Sequence, residues 1–192
     1  MFHSSVSFMK KTLIALFGFA LPAVCFADGV VNDAVSTISQ EIQSEWDRSM
    51  NGMDELYVPA VTWHNRATYD HDKIDSFNER PWGLGFGKGY IHENGDWSGF
   101  YAMAFKDSHN AWEPIAGYGY TKNFHPLDNP WFVGIGYTVF VTAREDIMGG
   151  VPFPGALPLA STGYKNFSLQ GTYIPGRRNN GNVAFIWGKY AF

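Results

Sequence analysis

The chain has 192 residues, a formal net charge of −4, and aromatic side chains at 17 %. That length accommodates a single domain. The acidic balance argues against a nucleic-acid partner, which would need clustered Lys and Arg to displace counterions. The aromatic load combined with a mildly negative mean hydropathy is unusual for a soluble domain but natural for a membrane β-barrel, where only alternate residues face lipid.

Residues 1–27 read as a cleaved secretory signal. Lys10 and Lys11 precede an apolar stretch from Thr12 to Val24, and Cys25-Phe-Ala27 places small residues three and one before a cut ahead of Asp28. The apolar stretch is shorter than the roughly 20 residues a spanning helix needs. Cleavage removes the only cysteine and two positive charges, so the mature chain, 28–192, is a disulfide-free and more acidic single domain exported to the bacterial envelope.

Val31, Val35, Ile38, Ile42 and Trp46 recur at helical spacing, with Asp33, Ser36, Gln40, Glu41, Gln43 and Glu45 between them. This predicts an amphipathic helix, Val31 to Met50 within the segment 28–52, either packed on a core or lying in a membrane interface.

From Tyr57 the period changes to two, and the barrel is expected over 56–192. In Tyr57 to Asp70 the odd positions include Tyr57, Pro59, Val61 and Trp63, and the even ones include Thr62, His64 and Arg66. One face is mostly apolar and the other mostly polar, with His64 inward on the polar face. Similar runs cover Trp82–Ile91, Trp97–Lys106, Ala111–Phe124, Phe132–Glu145, Phe153–Tyr164, Phe167–Tyr173 and Val183–Phe192, eight in all. The fold class is therefore all-β: an eight-stranded antiparallel transmembrane β-barrel preceded by an N-terminal amphipathic helix. An even strand count with alternating short and long links closes a sheet without a free edge.

The last strand ends on Phe192, with Tyr190, Gly188 and Ile186 at alternate positions behind it. That pattern looks like the assembly signature of bacterial outer-membrane barrels. Gly83, Gly85, Gly87 and Gly89 alternate along one strand rather than opening a helix, which excludes a nucleotide-binding loop. Such a row lets walls come close or leaves room for a ligand. A barrel of this size is filled by side chains or holds one small ligand, here one alkyl chain.

His64, at the end of one upward strand, and the adjacent Asp107 and Ser108, at the tip of the hairpin Asp96–Tyr120, converge on one rim. A histidine, a carboxylate and a hydroxyl above an apolar pocket point to acyl transfer. His64 would act as general base on a hydroxyl, either of the acceptor or of Ser108, with Asp107 orienting the imidazole. Arg66, Lys106, Arg177 and Arg178 are candidates for lipid phosphates or simply rim charge. The histidines show no paired metal spacing, and neither a metal nor a cofactor is expected in the chemistry.

Tyr57-Val-Pro-Ala-Val-Thr-Trp-His64, Asn78-Glu-Arg-Pro-Trp-Gly83, Tyr101-Ala-Met-Ala-Phe-Lys-Asp-Ser108 and Trp112-Glu-Pro-Ile-Ala-Gly-Tyr-Gly119 resemble the lipid A palmitoyltransferase family (PagP). Leu157-Pro-Leu-Ala-Ser161, Tyr173-Ile-Pro175 and Asn179-Asn-Gly-Asn-Val183 extend the resemblance to the end of the chain. The resemblance implies an outer-membrane enzyme, a monomer, that moves a palmitoyl chain from a glycerophospholipid donor to lipid A. It carries over His64, Asp107 and Ser108 as functional residues and Gly119 as the floor of the acyl pocket. Pro59, Pro81, Pro158 and Pro175 match prolines that weaken strand pairing where lipids pass sideways. The chain departs from the family at His109, where well-known members carry tryptophan, and at Met148-Gly-Gly150, which is shortened and less aromatic. Both put the acylated position of lipid A in doubt more than the reaction. An outer-membrane phospholipase and a non-enzymatic small barrel for adhesion or ligand binding are the competing readings.

Overall fold

The computed structural model describes residues 28–192; the expected signal segment, 1–27, lies outside the described residues. Helix α1 spans Asp28–Met50, starting three positions earlier than the apolar period indicates. Residues up to Ser44 form one unit and Glu45–Phe192 a second. In the first, Val35 and Ile38 are exposed, and Ser36, Thr37 and Ser39 bond back to carbonyls of the preceding turn. In the second, the last turn of α1 lies on the outer face of the sheet. Trp46 meets Phe100 edge-on at 5.1 Å, while Ser98 and Tyr118 donate to Glu45 at 3.0 and 3.2 Å. Among the described residues no helix is long and apolar enough to cross a membrane.

Eight strands follow: β1 Met53–His64, β2 Gly83–Ile91, β3 Trp97–Lys106, β4 Trp112–Phe124, β5 Trp131–Thr142, β6 Phe153–Tyr164, β7 Phe167–Ile174 and β8 Val183–Ala191. Each pairs antiparallel with the next, and β1 pairs antiparallel with β8, closing the barrel. Closure in this sense requires an even count, so the sheet has no edge. A short helix α2, His71–Asp75, stands in the long β1–β2 connection, where the sequence suggests only a polar loop.

Alternation sorts the side chains as a membrane barrel requires. Phe86, Ile135 and Phe192 point outward at 59 %, 65 % and 64 % exposure, with Leu84, Tyr137, Leu169 and Tyr190 on the same surface. Tyr57, Trp97, Tyr101, Met103, Phe105, Leu159, Phe185 and Trp187 form the inner core. The β2 glycines prove to serve close approach. A Cβ on Gly85 would collide with Met103, and one on Gly87 would lie 2.9 Å from the Tyr57 ring.

In β1 the single-face reading of Tyr57, Pro59, Val61 and Trp63 does not hold. Tyr57 and Pro59 are inward, whereas Val61 and Trp63 are outward. The cause is a bulge: against β8 the register steps from Pro59 to Val61, so Ala60 is extra and parity inverts beyond it. The inversion is what lets Tyr57 and His64, an odd number of residues apart, share the interior.

Pairing also lapses in two places. β1 and β2 pair only from Met53↔Gly89 to Tyr57↔Gly85, and β6 and β7 only from Tyr164↔Phe167 to Leu159↔Thr172. Pro59 and Pro81 flank the first gap, and Pro158 and Pro175 the second. Proline has no N–H to give to a ladder.

Candidate active site

The β1–β2, β3–β4, β5–β6 and β7–β8 connections all lie at one end of the barrel. This places His64, at the end of β1, beside the β3–β4 tip. The tip closes tightly: Asp107 and Ala111 bond through their backbones at 2.9 Å, with Asn110 in the left-handed region at φ 61°. Asparagine tolerates that conformation better than most side chains. The irregular tip frees Asp107 and Ser108 from strand alternation, and both are buried.

Ser108 Oγ lies 3.2 Å from His64 Nε2, and Glu79 Oε1 lies 3.0 Å from His64 Nδ1. Glu79 also accepts the His64 backbone N–H at 3.0 Å and is gripped by both terminal nitrogens of Arg66, one at 2.6 Å. The Arg66 fork and then the bonds from His64 hold the Glu79 carboxyl down at about 2. An ionised carboxylate only accepts, so Nδ1 carries the proton and Nε2 is bare to receive one from Ser108. Because the folded value is depressed, ionised Glu79 stabilises the loop fully above about pH 5, and that contribution is lost as pH falls through about 2. Phe77 stacks on the imidazole at 4.4 Å and Tyr69 meets it edge-on at 5.2 Å, fixing the ring plane.

Asp107 is placed differently from the sequence expectation. Its Oδ1 accepts the backbone N–H groups of His109 and Ala111 at 2.8 and 2.9 Å, and its Oδ2 faces Arg144 at 3.7 Å. It shapes the tip that presents Ser108, while the carboxylate at the imidazole is Glu79. Glu79 was legible only as part of a motif, because it sits in a loop where no periodicity points a side chain anywhere. Arg144 extends the arrangement, bonding Asp146 at 2.8 Å and Glu113 at 3.3 Å. Arg144 in turn holds the Asp146 carboxyl below the usual range. His109 Nδ1 lies 3.7 Å from Asp146, so this position faces the β5–β6 loop. Of the proposed phosphate-binding cations, Arg66 is committed to Glu79, Arg178 bonds Asp70 at 2.7 Å, and Lys106 lies over Trp112.

Below these groups lies a cavity of about 570 Å³, lined by His64, Asp107 and Ser108 at its mouth. Met103, Phe105, Ile115, Phe140, Leu157 and Phe185 form its apolar wall. Tyr101 and Thr138, joined by a 2.7 Å bond, lie at its lower end. Gly119 stands one inward position below Gly117, the β4 partner of Tyr101. A Cβ there would approach the Trp97 ring to 2.9 Å and Leu159 to 3.4 Å.

A lipid-facing closed barrel with a serine, histidine and glutamate in series over an apolar blind pocket defines a class: a transmembrane barrel equipped for acyl transfer within the bilayer. Residues 41–189 match the family model described as "Antimicrobial peptide resistance and lipid A acylation protein PagP", and the chain belongs to that family. Proteins named Lipid A acyltransferase PagP are similar along most of its length. That of Enterobacter lignolyticus is 48 % identical over 175 residues, covering 91 % of this chain and 90 % of its own. That of Erwinia tasmaniensis is 50 % identical over 171 residues, 88 % of each. That of Bordetella pertussis is 49 % identical over 180 residues, 93 % of this chain and 96 % of its own.

Proposed function

We propose that this chain transfers a palmitoyl group from a glycerophospholipid to lipid A in the bacterial outer membrane, working as a single barrel. The observation that carries the reading is the Ser108–His64–Glu79 series at the mouth of the apolar cavity. The donor's acyl chain occupies the cavity, bringing its ester carbonyl to the rim. His64 Nε2 takes the proton of the attacking hydroxyl, whose oxygen bonds to the carbonyl carbon. The ester C–O bond then breaks, and the imidazolium returns the proton to the departing glycerol oxygen. Glu79 holds the required tautomer and offsets the positive ring. The attacking oxygen is either Ser108 Oγ, giving an acyl-enzyme, or the lipid A hydroxyl in its place; acyl-Ser108 trapped by acid quench selects the first route. The two pairing gaps support sideways passage of lipids past Pro59 and Pro81, and past Pro158 and Pro175.

Incubating the purified protein with labelled phospholipid and lipid A tests the reading directly. Labelled, more slowly migrating lipid A with release of lysophospholipid is the expected product. Free fatty acid alone would identify a phospholipase, and no turnover would reduce the molecule to a binding barrel. Gly119→Met fills the base of the pocket and is expected to shift products to shorter acyl chains, as read by lipid A mass. An unchanged product length would remove Gly119 from the floor.

A further inference from the structure

Beneath the acyl cavity the barrel holds charge where a hydrocarbon stop would serve. Glu55 and Lys189 are 1 % and 7 % exposed, and Lys189 Nζ lies 2.6 Å from Glu55 Oε1. The same oxygen accepts Trp97 Nε1–H at 2.8 Å, and Oε2 accepts the Tyr57 hydroxyl at 2.6 Å. Lys189 also sits over the Trp97 ring, 3.9 Å from its centroid. Trp97 is therefore held on its edge by Glu55 and on its face by Lys189, and it is the ring a Gly119 Cβ would strike. The backbone is cut to fit this cluster: a Cβ on Gly89 would collide with the Glu55 carboxylate and lie 2.6 Å from Trp97 Nε1.

Below the cluster lies a second cavity of about 470 Å³, lined by Glu55, Trp97, Lys189, Gln170, Ser161 and Ser168. The Ser161 and Ser168 hydroxyls are buried there with no protein partner, within a lining that also includes Ile91, Phe132 and Ala191. Space alone therefore does not end the acyl pocket. An apolar tube gains free energy for every methylene it buries and discriminates weakly between neighbouring chain lengths. A sharp stop needs a step at which one more carbon becomes costly.

We propose that the Glu55–Lys189 pair, acting through Trp97, is that step: acyl-chain length is limited by a charged plug between two chambers. A longer chain has to pull Trp97 from Glu55 and lay methylenes against a buried ion pair, leaving polar groups unpaired away from water. Glu55 and Lys189 are thus specificity-determining positions for the transfer, remote from the reacting atoms. The proposal rests on the reading that the upper cavity holds the acyl chain.

The test supplies donors carrying sixteen-, eighteen- and twenty-carbon chains together and measures acylated lipid A by mass. In Glu55→Gln/Lys189→Met both charges go at once, so neither is left buried alone. The expected result is a rise of about tenfold in longer-chain product relative to sixteen-carbon product. Tyr57→Phe, which removes one donor to Glu55 and little volume, is expected to shift the ratio in the same direction and covers the case in which the double variant does not fold. Folding is read from heat-modifiable migration. If Gly119→Met shortens the product while a folded plug variant keeps the wild-type distribution, the plug is refuted. If neither moves product length, the acyl-chain reading of the cavity fails, and the plug fails with it.

Discussion

His64→Ala is expected to abolish acyl transfer while leaving the barrel assembled. The imidazole bridges the Ser108 hydroxyl and the Glu79 carboxylate, so its loss removes the proton acceptor and disconnects the carboxylate from the hydroxyl in one change. General-base catalysis contributes about a hundredfold to ten-thousandfold, and loss at the upper end of that range is expected here. His64 is the last residue of β1 to pair with β8, and that ladder is made by backbone groups, so closure of the sheet does not depend on the ring, which stacks on Phe77 from a loop. Heat-modifiable migration and β-sheet circular dichroism should match the parent chain. A folded His64→Ala protein with full transfer activity would refute the assignment.

Glu79→Gln is expected to be nearly as damaging, and for a different reason. The amide preserves size but can donate to Nδ1, which favours the tautomer with the proton on Nε2. In that tautomer the ring cannot accept from a hydroxyl. Loss of the carboxylate also removes the charge that offsets the imidazolium. In serine-protease triads the corresponding change lowers kcat by about ten-thousandfold. Glu79 is partly exposed, so a loss of about a hundredfold or more is the expected effect here. The loss should fall on kcat with KM little changed, and Glu79→Asp should recover part of it. Equal losses in Glu79→Asp and Glu79→Gln, tracking a fall in thermal stability, would show a merely structural role. Because Glu79 stays ionised down to about pH 2, an acid limb in the rate profile near neutrality is not its titration.

The fold was largely legible because a barrel wall repeats a simple rule, side chains alternating between lipid and interior. The run in β8 has the parity the sequence suggests, with Ile186, Tyr190 and Phe192 outward. The rule fails where the backbone breaks period. In β1 one extra residue at Ala60 puts Tyr57 and Pro59 inward while Val61 and Trp63 face outward; Pro59 is a residue type found at bulges, but it does not by itself fix where the step falls. The site was legible in part for the same reason. His64 and the tip follow from strand direction, but Glu79 reaches His64 from a loop, and Asp107 turns to its own backbone through a turn that alternation does not describe. The Glu55–Lys189 pair escaped notice because its members are 134 positions apart. Each taken alone reads as an ordinary strand-end charge.

The two gaps in strand pairing have a mechanical consequence. At the loop end they divide the wall into two panels, one of β7, β8 and β1 and the other of β2 to β6, while at the turn end the ladder is continuous. His64 stands on the first panel and Ser108 on the second, with Glu79 in the connection that spans the seam. The molecule is jointed like a clothes-peg whose jaws carry the base and the hydroxyl. On the proposed reading, spreading the β1–β2 seam to admit a lipid would part the two groups, which stand on opposite sides of it. Catalytic alignment and sideways passage would then be alternate states of one hinge, and bond-making would belong to the closed wall.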